Sequence, residues 1–299
     1  MTLRSLLVLV AGCCLIPPCA YGAGSSATPS FAKARVEWNA LQKPFRIYGN
    51  TWYVGPHGLS AILVDTGKGL ALFDGDLPES APQIEAHLRE LGFRVRDIKW
   101  IFNSHAHADH AGGIAALQRA SGAQVVASAE GARELEAGGA YPADPQYGFG
   151  LTYMPVKPVR VVRDGEVLRL GDVAVTAHYT PGHTPGSTSW TWNSCEAARC
   201  LRIAYVDSLT ALAAPGYRFT DHPRYVGAFR RSIATVAALP CDILLTPHPG
   251  ASDFWERVAR RRSSGDVAPL VDADACRIYA AAAGQGLDAQ LARERTAAK

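Results

Sequence analysis

The chain has 299 residues, of which 48% are hydrophobic and 19% charged, a balance that excludes a disordered tail or a coiled coil and leaves ample material for a buried core. Thirty Lys and Arg against 27 Asp and Glu leave a formal charge of +3, too small and too scattered to point to nucleic acid. Seven cysteines is the odd feature, since a secreted chain would be left with one unpaired thiol and a cytosolic chain would pair none of them.

Residues 1–22 start with a positive charge at Arg4, run apolar from Leu6 to Ile16 and close on the small-residue end Ala20-Tyr21-Gly22. That layout predicts a secretory signal peptide, too short and too broken by Pro17 and Pro18 to remain in a bilayer. Reading Val10-Ala11-Gly12-Cys13 as a lipoprotein cleavage box is weaker, because too few apolar residues precede it. Cleavage near Ala23 discards Cys13, Cys14 and Cys19 and makes the cysteine count even. A soluble periplasmic protein, free of the membrane once the signal is cut, is the expectation.

After a Ser/Ala-rich lead from Ala23 to about Ala34, segments 45–54, 59–65 and 69–74 read as short strands punctuated by glycine. Segment 82–91, apolar at Ile84, Leu88 and Leu91 and followed by Gly92, predicts a helix, and an apolar strand over 98–102 comes next. The alternation continues with a helix over 113–120 closed by Gly122, a strand over 124–127, a helix over 129–137 and a Gly-, Pro- and Tyr-rich loop to Met154. The second half predicts strands over 167–170, 173–179, 187–192 and 202–206, a helix over 225–239, a strand over 243–246 and a helical tail from Asp272. Two similar halves of mixed sheet with outer helices predict an αββα sandwich, and with no polar linker between them residues 23–299 read as a single domain.

The chemistry concentrates at Ser104-His105-Ala106-His107-Ala108-Asp109-His110, just after the predicted strand 98–102. His105 and His107 alternate along an extended segment and lean to one site, whereas Asp109 and His110 open the next helix and point to a neighbouring one. Two metals are therefore expected, and nitrogen and carboxylate donors without thiolate favour Zn²⁺, with iron or manganese also compatible. Further ligands sit in turns after strands, His183 in Pro181-Gly182-His183-Thr184-Pro185-Gly186 and His248 in Thr246-Pro247-His248-Pro249-Gly250. His57, His87, His178 and His222 lack such settings and read as ordinary polar or structural residues.

The string His105-x-His107-x-Asp109-His110, with His183 and His248 following, resembles the metallo-β-lactamase superfamily over most of the mature chain. The resemblance implies a first zinc held by His105, His107 and His183, a second held by Asp109, His110 and His248, and Asp74 supporting the metal loop. Within the superfamily, Ala204-Tyr205-Val206-Asp207-Ser208-Leu209-Thr210 and the surroundings of His183 and His248 are similar to the third subclass of zinc β-lactamases, in which a serine stands where the first subclass has a cysteine ligand. The implied function is hydrolysis of the β-lactam amide of penicillins, cephalosporins and carbapenems by a hydroxide held between two zinc ions, conferring resistance. Asp109 is then both ligand and orienting group, and Ser208 and Thr210 bind the substrate carboxylate. Gln146 contacts substrate from the loop that starts at Asp144, with Tyr147, Phe149, Trp38, Trp52 and Tyr217 as candidate cleft walls. A monomer with a small-molecule partner is expected.

Other readings use the same ligands. A lactonase or related hydrolase would employ Asp207 as a metal bridge, although Asp207 reads more readily as structural. An iron-dependent thiol dioxygenase would need one metal and leave Asp109 or His110 idle, and a non-catalytic member is disfavoured by the complete ligand set. Of the four retained cysteines, Cys195 and Cys200 flank a four-residue tip between two predicted strands, which predicts a hairpin-closing disulfide, and Cys241 and Cys276 remain as the second pair.

Overall fold

In the computed structural model, which describes residues 29–297, the Ser/Ala-rich lead ends in an unexpected helix, α1 (Pro29–Trp38). The predicted signal peptide lies outside the described residues. The single strand expected over 45–54 is a hairpin, β1 (Phe45–Tyr48) and β2 (Thr51–Tyr53). Gly49 makes the reversal at φ 49°, and a Cβ there would lie 2.4 Å from the Cys195 carbonyl oxygen.

The first sheet continues through β3 (Ile62–Asp65), β4 (Leu70–Phe73), β5 (Ile98–Phe102), β6 (Gln124–Ala127) and β7 (Val159–Val161), in sequence order across the sheet. Pairing is antiparallel as far as β4 and parallel from β4 to β7. The crossovers carry α2 (Ala81–Glu90), the single turn α3 (Ala108–Ala111), α4 (Ile114–Ser121) and α5 (Ala129–Glu136). Gly122 ends α4 in the left-handed conformation at φ 72°, as its position after the apolar period predicts.

The second sheet contains β8 (Val167–Leu170), β9 (Val173–Tyr179), β10 (Thr188–Glu196), β11 (Arg199–Tyr205) and, after α6 (Pro223–Ala237), β12 (Ile243–Leu245). Its order is β12-β11-β10-β9-β8, antiparallel except where β12 joins β11. Helices α7 (Phe254–Ser264) and α8 (Ala275–Ala297) complete the chain. Besides α1, two elements escape a sequence reading: β7 is a three-residue edge strand interrupted by Arg160, and α7 carries four arginines and few apolar residues.

Three apolar layers produce the expected αββα sandwich. Between the sheets lie Tyr53, Phe73, Phe102, Trp190, Trp192 and Tyr205, with Phe73 stacked on both Phe102 and Trp192 at centroid distances of 4.8 and 4.5 Å. Truncating one such aromatic to alanine costs about 3–5 kcal/mol. The outer face of the first sheet packs on α2 and α4 through Ile84, Leu88, Ile114 and Leu117, which is why β4 is buried on both faces. The second sheet packs on α6 and α8 through Phe229, Val236, Leu287 and Leu291. No helix among the described residues is long and apolar enough to cross a membrane.

Two disulfides join Cys195 to Cys200, opposite each other in the β10–β11 register, and Cys241 to Cys276. The second ties the start of β12 to α8 across a sequence separation of 35. On the loop-entropy account it stabilises the fold by about 3–4 kcal/mol. Cys276→Ala is expected to lower unfolding stability by that amount, read from the urea midpoint; an unchanged midpoint would show that the link constrains nothing.

Candidate metal centre

The histidine cluster stands where β5 ends, and its backbone is held by one residue of the neighbouring strand. Asp74, in the left-handed region at φ 61° beyond β4, accepts bonds from Ser104 N (2.7 Å), Ser104 Oγ (2.6 Å), Asn103 Nδ2 (3.0 Å) and Tyr205 OH (2.7 Å). A sparsely populated backbone state with four converging donors is the pattern of a residue retained to fix a site. The chain then runs extended to His107, which precedes α3 at φ −76° and ψ 156°, so that Asp109 and His110 fall in the helical turn.

His105, His107 and His183 each offer a ligand atom within 4.8 Å of the others. The remaining nitrogen of each is already engaged. His105 Nδ1 donates to Asp207 Oδ1 at 2.7 Å, His107 Nε2 to Asp144 Oδ2 at 2.8 Å, and His183 Nδ1 to Thr210, whose carbonyl and hydroxyl oxygens both lie 2.9 Å away. His105 Nε2 is buried without a partner. Beside this triad, Asp109 Oδ2 lies 3.3 Å from His110 Nε2 and 3.2 Å from His248 Nε2, and those two nitrogens are 3.2 Å apart. A tetrahedral ion with bonds of about 2.0 Å has ligand–ligand edges of about 3.3 Å, so the second triad fits a divalent metal, and the orphaned His105 nitrogen argues likewise for the first.

The electrostatics suit ligands. Burial, reinforced by the neighbouring histidines, holds His105 well below the usual imidazole range, and burial with His107 pushes His183 down to about 3. Both are therefore neutral at pH 7, the state that binds metal. Burial acts the same way on His107, but the bond to Asp144 outweighs it and raises the ring. For Asp109 burial opposes ionisation, yet His110 and His248 overcome it and keep the carboxyl well below its ordinary range.

Both triads open into a cleft of about 280 Å³ that also exposes Gln146, Ser208 and Thr210. Helix α1 forms one wall: Trp38 lies 5.3 Å from the His248 ring, Phe31 meets Phe149 at 5.4 Å, and Arg35 is paired with Glu79 through bonds of 3.0 and 2.6 Å. Of the five suggested wall residues Trp38 lines the cleft; Phe149 stands behind Phe31, Tyr147 is exposed, and the other two are placed elsewhere. Trp52 packs on Phe93 behind the first sheet, and Tyr217 stacks on His222. The Thr210 hydroxyl faces His183, and Gln146 Nε2 is 3.3 Å from His183 Nε2. The four set-aside histidines make ordinary contacts, His87 with Val54 O, His178 with Thr191, His57 stacked on Trp255 and His222 on Tyr217.

Residues 47–198 match the family model of the metallo-beta-lactamase superfamily. The chain belongs to that superfamily. Among solved structures it is similar to the Rm3 metallo-beta-lactamase, at 48% identity and a TM-score of 0.84 over 88% of this chain and 98% of that one. It is also similar to MEM-A1, a subclass B3 metallo-beta-lactamase from a soil metagenome library, at 50% identity and a TM-score of 0.84 over 87% and 99% of the two chains. Curated relatives are more distant. A "probable metallo-hydrolase" of Burkholderia pseudomallei (strain 1710b) is 29% identical over 61% of this chain and 65% of its own length. A hydroxyacylglutathione hydrolase of Anaeromyxobacter dehalogenans (strain 2CP-C) is 35% identical over 44% and 40%. The chain thus spans less than two thirds of these curated relatives' length.

Two buried acids near the site, Asp144 and Glu134, were not legible in the sequence. Asp144 was visible only as the start of a loop, and nothing in its spacing ties it to His107. Glu134 gave no signal at all, being one acid among several in an amphipathic helix, yet it is only 2% exposed and burial, with Asp144 nearby, raises it to about 8. His107, Tyr153 and Tyr225 are the other titratable groups that face it. A carboxyl raised from 4.5 to about 8 contributes stability that is fully present below pH 4.5 and lost as pH rises through 8. Glu134→Gln should therefore gain on wild type by a few kcal/mol between pH 5 and pH 8.5. Urea midpoints of the metal-free proteins at the two pH values check this, and a pH-independent difference would refute it.

Proposed function

We propose that this protein hydrolyses the amide bond of β-lactam antibiotics as a zinc-dependent β-lactamase, with one zinc at His105, His107 and His183 and a second at Asp109, His110 and His248. The observation that carries the reading is the pair of adjacent donor triads opening into one cleft, in a chain 50% identical to a subclass B3 metallo-beta-lactamase. When bound, zinc supplies Lewis acidity toward the amide carbonyl and lowers the pKa of water to about 7.

The chain's own groups do the rest. Asp144, Asp207 and Thr210 fix the three imidazoles from outside, so that the ligand nitrogens are set before metal arrives. Asp109, ionised at neutral pH, would help hold the second zinc, and its carboxylate is placed to accept a hydrogen bond from the attacking water. Ser208 and Thr210 on the cleft wall donate to the substrate carboxylate, and Gln146 meets the substrate from the opposite loop. Trp38 and Phe31 exclude water and receive the apolar substituents of the substrate. The same reading places residues 23–299 in one domain, acting as a periplasmic monomer after loss of residues 1–22.

The lactonase reading requires Asp207 to bridge the metals. Its fully buried carboxylate instead holds the outer nitrogen of His105, which supports the β-lactamase reading. Purified mature protein assayed with a chromogenic cephalosporin, a carbapenem and an acyl-homoserine lactone, with and without chelator, separates the two. Chelator-sensitive turnover of the β-lactams is expected; lactone turnover without β-lactam turnover would overturn the proposal.

A further inference from the structure

We propose that Glu134, a buried residue of α5, is a positioning residue for the first metal triad, acting through the turn that presents His183. The inference rests on the metal reading above, and Glu134 itself touches none of the six ligands.

His183 is carried by the connection from β9 to β10, a segment without regular secondary structure. Its bonds to itself, Thr180 N to Ser187 O (2.9 Å), Gly182 N to Thr184 O (3.1 Å) and Thr184 N to Ser187 Oγ (3.1 Å), shape the turn but do not locate it in the molecule. Two anchors locate it: Ser232 Oγ of α6 donates to the Pro181 carbonyl at 2.7 Å, and beyond His183 the two backbone groups of Gly186 are taken by α5 and its cap. The Gly186 N–H donates to Glu134 Oε1 at 3.0 Å, and its carbonyl accepts from Ser128 Oγ at 2.7 Å. Ser128 caps α5 by accepting from Gly131 N at 3.1 Å. The approach is so close that a Cβ on Gly186 would lie 2.3 Å from Gly131 N. The turn is thereby clamped to a rigid helix at one end, and His183 is tied to Thr210 at the other.

The cost of the arrangement argues that it is there for the turn. A carboxyl that is 2% exposed, with Oε2 lacking any partner, destabilises the fold relative to an apolar side chain of similar size. What leucine would not provide is an acceptor for the buried Gly186 N–H. Loss of that acceptor frees the turn to shift by the fraction of an ångström that separates a preset ligand from one that must be ordered by the metal.

The test is the stepwise zinc affinity of the full mature chain, measured by competition with a chromophoric chelator, for wild type, Glu134→Leu and Glu134→Gln. Circular dichroism of the metal-free proteins verifies folding. Glu134→Leu is expected to weaken the tighter or the looser zinc step by about 10- to 100-fold, the usual effect of removing an outer partner of a metal ligand, while the other step stays nearly unchanged. Glu134→Gln, whose amide oxygen accepts the same bond, should stay within about threefold of wild type. Should Glu134→Leu fail to fold, Ser128→Ala removes the bond that ties the Gly186 carbonyl to the α5 cap, leaving only the one from Thr188 Oγ1 at 3.0 Å within the turn's own strand, and is expected to weaken the same step by about tenfold. Folded Glu134→Leu or Ser128→Ala proteins with wild-type affinity would overturn the proposal, as would a glutamine variant as weak as the leucine one. A wild-type chain that takes up no zinc would bring down the metal reading, and this inference with it.

Discussion

His107→Ala is expected to abolish β-lactam turnover, by roughly 10³-fold or more, the scale on which loss of an activating group registers. Two effects combine. The first triad loses one of three nitrogens, and Asp144, which His107 now holds at 2.8 Å, is left as a buried carboxylate without its partner. Zinc content and turnover of the chromogenic cephalosporin, measured on the same preparation, should fall together, and excess zinc should restore little. A variant that keeps more than about a tenth of wild-type turnover would show that His107 is no essential ligand. Folding of the variant is checked independently by near-ultraviolet circular dichroism, because the core aromatics Trp190 and Trp192 lie in the sandwich and not in the cleft.

The second large effect is expected at Asp207, where two substitutions separate two roles. If the carboxylate serves to hold His105, Asp207→Asn retains an acceptor for His105 Nδ1 and changes zinc affinity only a few-fold, whereas Asp207→Ala weakens the first zinc by about 10- to 100-fold. If Asp207 bridged two metals, the asparagine would be nearly as damaging as the alanine and would weaken both zinc steps. Zinc titrations of the two variants therefore decide between an orienting and a ligating carboxylate without any appeal to substrate preference.

Most of the architecture was legible because it rests on local patterns. Strands such as β6, β8 and β9 have compact apolar or alternating runs bounded by turn residues, and α2 and α4 have the apolar spacing and the closing glycines of short amphipathic helices. The misreadings also have local causes. The run from Phe45 to Val54 reads as one strand only if Gly49-Asn50, a two-residue hairpin signal, is passed over, and the reversal falls there. Helix α1 buries Phe31 and Trp38 against Phe149 and His248, contacts across more than a hundred residues that no window around the helix contains.

The proposed ligand set was legible in the sequence alone, because metal chemistry needs particular atoms and four of the six candidate donors lie within His105–His110, where backbone geometry already limits which can share an ion. The disulfide pairing followed equally from a hairpin tip and the two cysteines left over. Tertiary structure alone decided which nitrogen of His105, His107 and His183 is left free for a metal. That choice belongs to the group on the far side of the ring, and those groups are remote, with Asp144 37 residues from His107 and Asp207 102 residues from His105. Packing of one sheet on the other brings Asp207 to His105 and the His183 turn to the buried Glu134, whereas Asp144 reaches His107 along the loop that follows α5 within the first half.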